Sequence, residues 1–330
     1  MTESRPATGR LPRALLGMAV ALGAAQSALV QAAWPERPVR FIVPYAAGGP
    51  VEGTIRIFSN TLPKFLGQPI IIEAKAGGNT VIGADFVAKS APDGYTMLVM
   101  SPAHAANPAL LGKLPYDSIN DFAPVTIMAS TTFLMLASPK LPANNIKELV
   151  ALAKAKAEQL NFGIGGVGTP GHLTAAYFNS LAGTRVTYVP FKGAAPAYVA
   201  LAAGQIDLLC SSTNGALPFL KAGRMKALGA TGLKRESILP DLPTVAEQGF
   251  PGFESTQWVG IMAPARTPKA AIDQVHMAFV ESLKTAEVHE LLYSQGLDAG
   301  LQSPEEFGRY YRNEVAKWTK VIVEAGIKPE

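Results

Sequence analysis

The side chains best suited to nucleophilic or metal chemistry are few in this chain of 330 residues: four histidines (His104, His172, His276 and His289) and one cysteine, Cys210. No two histidines stand at metal-ligand spacing and no second cysteine joins them, so no metal site is expected. Cys210 ends the apolar run IDLLC with no base beside it in sequence, and it reads as a small buried hydrophobe. Ser101, His104 and Asp85 can be assembled into a triad on paper. The surrounding SPAHAAN, however, carries no sign of a sharply turned nucleophile or an oxyanion hole. GxSxG, HExxH and GxxxxGK[ST] are absent. An exported enzyme acting on carboxylates is kept only as an alternative.

What recurs instead is an apolar strand, a loop of small residues, then a helix. In RFIVPYAAGGPVEGTIRIF the apolar run 41–43 stops at Pro44, the loop AAGG follows, and an amphipathic pattern begins after Pro50. Gly48 and Gly49 are expected to leave backbone N–H groups bare at a helix start, where they and the helix dipole attract anions. Pro50 suits the first helical position, because its missing N–H would be unpaired there. Similar units deliver KAGGN, with Asn79 as the expected N-cap, then SPAHAANPAL, GVGTPGHL, KGAA and SSTNG. In the third of these loops from the end, Thr169 is the expected N-cap and Pro170 the first helical residue.

GIGGVG, with glycines at 163, 165 and 168, formally fits GxGxxG. A dinucleotide would also need an acid about 20 positions on for its ribose, and RVTYVPF has none there, so no cofactor is expected. His104 and His172 each follow a strand closely. For both, bonding a loop carbonyl and touching a ligand or the opposite lobe stay open. Lys75, Lys192 and Arg56 could pair with a carboxylate. Arg56, about two turns into the first helix, reads as a surface or ion-pairing residue, and Lys192, in a loop, is the better candidate.

Strands alternating with helices argue for an α/β fold with parallel-type sheets covered on both faces. APVTIMAS (123–130) and STQWVGIMAP (255–264) read as two hinge crossings. They divide the chain into lobe 1, residues 34–130 and 256–330, and lobe 2, residues 131–255. The first helix is expected to end near Gly67, and lobe 2 to open on a strand of its own, TFLMLAS. Loops from the carboxyl ends of both sets of strands then line the cleft, where open α/β sheets bind ligands.

Arg5, Arg10 and Arg13, an apolar stretch 14–25 and the small residues ALVQAA (28–33) read as an export signal over residues 1–33. Without that segment the chain holds 26 basic against 24 acidic residues and no basic block, which argues against nucleic acid. A 48% hydrophobic chain with 16% charged residues has a substantial core and is not disordered.

Taken together, WPERPVRFIVPYAAGG, KAGGNTVIGADF, SPAHAANPAL, GVGTPGHL, VPFKGAAPA, LPDLPTVAEQGFPGFE and WVGIMAPARTP resemble the periplasmic solute receptors of the tripartite tricarboxylate transporters, over nearly all of the chain after residue 33. The resemblance implies a two-lobed, type II-like periplasmic binding protein, monomeric and free of cofactor. Such a protein closes on a small carboxylate, a di- or tricarboxylate or an aromatic acid, and hands it to membrane permease subunits. A receptor for amino acids or another solute, serving a different transporter, is the nearer alternative. Carried over, the ligand-binding residues are Tyr45, Ala47, Gly48, Gly49, Asn79, Thr80, Ser101, His104 and Asn107 from one lobe, and Gly166, Thr169, His172, Lys192, Gly193, Ser211 and Ser212 from the other. Three positions depart from the family pattern: Glu52 for an aspartate, Phe191 for a tyrosine, and Ser211 for a frequent aspartate. The last removes a partner for a ligand ammonium, so a carboxylate without an amino group is expected.

Overall fold

The structure, a computed structural model, describes residues 34–328 and, before them, Thr2 alone; the expected export signal lies outside the described residues. The first sheet begins with β1 (Val39–Val43), α1 (Pro50–Ile57), α2 (Leu62–Leu66), β2 (Ile70–Ala74), α3 (Val81–Ala88), β3 (Thr96–Met100) and α4 (Pro102–Leu111). Strands β2 and β3 lie parallel on either side of β1, so the three loops leaving their carboxyl ends emerge on one side of the sheet. β3 is buried along its whole length, which is why TMLVM is a continuous apolar run. The single helix expected after Pro50 is two: the chain breaks after Ile57, and α2 ends at Gly67 in the left-handed region, φ +77°.

The next strand corrects the sequence reading. APVTIMAS and TFLMLAS are not two strands but one, β4 (Phe122–Ala137), 16 residues long. From it the chain makes α5 (Ile146–Ala155), β5 (Asn161–Ile164), α6 (Pro170–Ala182), β6 (Thr187–Pro190), α7 (Ala194–Ala203), β7 (Leu208–Ser212), α8 (Thr213–Lys221) and β8 (Lys226–Ala230). It returns through β9 (Thr256–Pro264) and ends in α9 (Lys269–Leu283), α10 (Ala286–Ser294), β10 (Asp298–Ala299) and α11 (Pro304–Glu324). Up to Thr132, β4 pairs antiparallel with β9, which in turn pairs with β3. From Phe133 onward β4 pairs with β7 and β8. Both crossings are therefore hydrogen-bonded to each other, and the change of partner falls between two consecutive residues.

Side chains hold that point. The Phe133 amide donates to Thr231 Oγ1 at 2.9 Å, and Thr231 Oγ1 lies 2.6 Å from the Ser255 carbonyl. The Thr132 amide donates to Glu236 at 3.0 Å. Parallel β5 joins β6 and β7, so its loop and theirs leave from one side of the second sheet. Each sheet is covered by apolar side chains on both faces. Leu173 and Ala176 of α6 share a cluster with Ala105, Leu110, Trp258 and Trp318 from the first lobe, so the two lobes touch through apolar surface.

Candidate functional site

The three loops of the first sheet are tied to one another by side chains. Tyr45 Oη and Ser101 Oγ lie 2.5 Å apart, joining the loop after β1 to the start of α4. Burial pushes the Tyr45 phenol up to about 12, so it stays a neutral hydrogen-bonding group. Asn107, fully buried on α4, donates to the Asn79 carbonyl at 2.8 Å and to Thr80 Oγ1 at 3.1 Å, and accepts from Asn79 Nδ2 at 2.7 Å. Asn79 is thus not the N-cap of α3. Thr80 holds that position, and because both residues sit at positive φ the Asn79 amide turns toward α4 instead of the helix. Asn107 has its donors and its acceptor engaged inside the protein and supports the loops from behind.

The expected bare amides of Gly48 and Gly49 are not bare. Gly48 donates to Glu52 Oε2 at 2.9 Å and Gly49 to the Ala46 carbonyl at 3.3 Å. Glu52, buried and one turn into α1, also accepts from Arg56 Nε at 2.7 Å. These bonds hold its carboxyl below the usual carboxylate range, the Gly48 amide contributing most. An acid in the first helical turn with a base four residues later was the available sign of this pairing. Ala47, exposed on the same loop, has no hydrogen-bond partner for its amide among the described residues.

In the second lobe each loop is supported mainly from its own neighbourhood. Thr169 caps α6 in position, with Pro170 following as expected, but its hydroxyl donates back to the Gly166 carbonyl at 2.8 Å. His172 Nδ1 accepts the Gly168 amide at 3.1 Å, so the ring bonds a loop amide where a carbonyl was one expectation. Its other contact is edge-on to Tyr188, 4.7 Å between centroids, and burial lowers its pKa to about 4. Ser211 Oγ lies 2.6 Å from Tyr198 Oη, which also reaches the Ser212 carbonyl at 3.3 Å. Gly193 opens α7 at φ +99°. A Cβ on Gly165 would stand 3.3 Å from the Gly193 carbonyl carbon, so these two loops are in contact.

The lobes meet at Gly168. A Cβ there would lie 2.8 Å from Leu110 Cδ2, and the φ of +74° already favours glycine, so a loop of the second sheet packs directly on α4 of the first. Leu110 was not singled out from the sequence, where it reads as one more apolar residue of SPAHAANPAL.

His104 does not join this constellation. Its ring stacks on Tyr116, 5.4 Å between centroids, and meets Phe122 edge-on at 5.2 Å, both within the first lobe. Neither ring nitrogen has a hydrogen-bond partner among the described residues, and burial lowers its pKa to about 3. The paper triad therefore has no geometry: Ser101 bonds Tyr45, and Asp85 pairs with Lys89. Cys210 is buried and its thiol pushed up by that burial, consistent with a packing role.

Comparison with known proteins decides the family. The sequence model for the "Tripartite tricarboxylate transporter family receptor" (TctC) matches residues 54–327. The chain belongs to this receptor family. It is 30% identical to Protein BugT of Bordetella pertussis over 317 residues, covering 96% of this chain and 97% of that one. Among solved structures it is similar to R. palustris Rpa4515 with adipate, with TM-score 0.74, 32% identity, 90% of this chain and 100% of that one covered. MatC (Rpa3494) from Rhodopseudomonas palustris with bound malate gives TM-score 0.71 at 32% identity, covering 88% and 100%.

The receptor is thus a solute-binding protein of a tricarboxylate-type transporter, built as a two-lobed α/β fold, and its family is periplasmic. No helix among the described residues is long and apolar enough to cross a membrane. Of its candidate cations, Arg56 is held by Glu52, and Lys75 lies 3.5 Å from Glu73 and 4.5 Å from the Phe86 ring centre. Lys192 is exposed in the loop beside Gly193 and makes no ion pair among the described residues.

Proposed function

We propose that the receptor captures a small carboxylate lacking an amino group between its two lobes and delivers it to membrane permease subunits without chemical change. Lobe 1 comprises residues 34–130 and 256–330, lobe 2 residues 131–255, and the exported protein acts as a monomer in the periplasm. The observation that carries this reading is the contact of Gly168 with Leu110, which sets the loops after β5 against the helix that carries Ser101. On this reading lobe 1 offers the Ala47 amide and the Tyr45 and Ser101 hydroxyls, and lobe 2 the Ser212 hydroxyl and the Lys192 ammonium, while the loop of Gly166 and Thr169 frames the ligand. This is a set of donors suited to carboxylate oxygens.

The absence of an amino group from the ligand follows from the charges. Ser211 stands where an acid would face an ammonium, and its hydroxyl is occupied by Tyr198. The other acid near the loops, Glu52, is neutralised by Arg56 and the Gly48 amide. An ammonium buried there would lack a counter-charge, which is costly. The adipate and malate held by the two related structures are di-acids of this kind.

Titration calorimetry with adipate, malate, citrate, an aromatic dicarboxylate, aspartate and glutamate tests the reading. Binding is expected among the first four; tight binding confined to the two amino acids would overturn it and favour the amino-acid receptor. Turnover of any bound compound would revive the enzyme.

A further inference from the structure

A second site lies beside the 211–214 loop, at the edge of β4 where that strand changes sheets. Asp298 of β10 is the register partner of Ser130 on β4, and two residues along the same strand the Thr132 amide donates to Glu236. Alternate residues of a strand present their backbone groups on the same edge, about 7 Å apart, and burial, with the Asp298 charge reaching it, pushes the pKa of the Glu236 carboxyl up. Both line a single cavity of about 10 Å³, together with Ser237, Tyr293 and Gly296. That volume accepts one water-sized sphere.

Glu236 is 5% exposed. One carboxylate oxygen serves Thr132; the other, Oε2, is buried and has no hydrogen-bond partner among the described residues. The Thr132 hydroxyl donates to the same oxygen as the Thr132 amide, and the buried Thr213 hydroxyl lies close enough to act on the Glu236 carboxyl. No lysine, arginine or histidine lines the cavity. Two carboxylates on one small cavity, one of them with a buried oxygen that accepts no hydrogen bond by geometry and neither with a cationic side chain, repel each other as anions, and a cation or a shared proton between them relieves this. With the Ser237 hydroxyl they form an all-oxygen donor set, which selects hard cations over zinc or copper.

We propose that this cavity is a cation site of calcium type, with Glu236 and Asp298 as its charged ligands and Ser237 Oγ beside them. Glu236 belongs to the segment between the two crossings and Asp298 to the segment after the second. A bound ion therefore ties both segments to β4 at the point where that strand passes from one lobe to the other, and it stiffens the hinge next to the 211–214 loop.

The test uses the purified receptor stripped with a chelator, and calcium chloride as the probe. Calorimetry is expected to give one site per chain with a dissociation constant of about 1 mM or tighter, and calcium is expected to raise the melting temperature. Asp298→Asn, at an exposed position, is expected to weaken binding about tenfold by removing one ligand charge, while Asp273→Asn on a remote helix leaves it unchanged. Glu236→Gln is expected to abolish it, and should that variant fail to fold, Asp298→Asn still decides the matter. Absence of calcium binding at about 10 mM overturns the proposal. So does binding that Asp298→Asn leaves intact, or a melting temperature that responds to pH alone, which would mean the pair shares a proton.

Discussion

The loops of the two lobes are built to the same outline and supported in different ways. In lobe 1, Tyr45–Ser101 and Asn79–Asn107–Thr80 run between loops that are far apart in sequence, so three loops form one platform on α4. In lobe 2, Gly168–His172, Gly166–Thr169 and Tyr198–Ser211 close within about 13 residues, and the loops, although those of Gly165 and Gly193 touch, are held mainly from nearby in sequence. A cross-tied platform holds its amides in place before a ligand arrives, whereas loops held locally can adjust when the lobes come together. The difference assigns pre-organisation to lobe 1 and adaptation to lobe 2.

The contrast is sharpest at Asn107. Replacing it with leucine takes the partner from the Asn79 carbonyl and from the buried Thr80 hydroxyl together, and is expected to cost about 2 kcal/mol in denaturant unfolding and to weaken carboxylate binding. A loss no greater than that of a surface substitution would show that lobe 1 is not cross-tied.

Acid acts on both lobes through their histidines. His104 and His172 have folded-state values of about 3 and about 4, below the ordinary 6.5, so the unfolded chain binds protons first. Their stabilising contribution is whole above pH 6.5, and it is lost as pH falls toward 4 for His172 and 3 for His104, with a slope of up to about 1.4 kcal/mol per pH unit for each ring. His104→Phe is expected to flatten that loss without changing carboxylate affinity, because the ring lies in an aromatic box; a large change in affinity would place it in the site after all.

Gly168→Ala puts a methyl against Leu110 at positive φ and is expected to cost about 2 kcal/mol, with reduced affinity because the lobes no longer meet. Combined with Leu110→Ala, the loss should be smaller than the sum of the two, since the clash disappears. Smallest is the pair Tyr45→Phe and Tyr198→Phe, each expected to cost about 1 kcal/mol. Only the first should lower carboxylate affinity, because it unties two loops where the second releases one. Equal losses of affinity would erase the distinction between the lobes.

Much of this was legible in the residues. Strand, small-residue loop and helix recur at readable spacing, Pro50 and Pro170 mark helix starts, and Cys210 reads as core. The hinge was legible as two crossings but not as one continuous strand, because nothing in VTIMASTTFLML changes in character where the pairing partner changes. The first loop misled for a related reason: a pair of glycines indicates where donors can stand, and does not reveal that Glu52, four residues on, reaches back to take one of them. His104 misled because a loop position after a strand says nothing about which way the ring turns. Its aromatic neighbours lie 12, 18 and 207 residues away in the chain, beyond any local pattern.

The measurement that bears most directly on the central claim is amide hydrogen exchange of the receptor with and without the acid that titrates most tightly. The account predicts simultaneous added protection of residues 45–49 and 101–104 in one lobe and of 165–169, 192–194 and 211–214 in the other. Protection confined to one lobe, or located outside these loops, would contradict a solute held between the two.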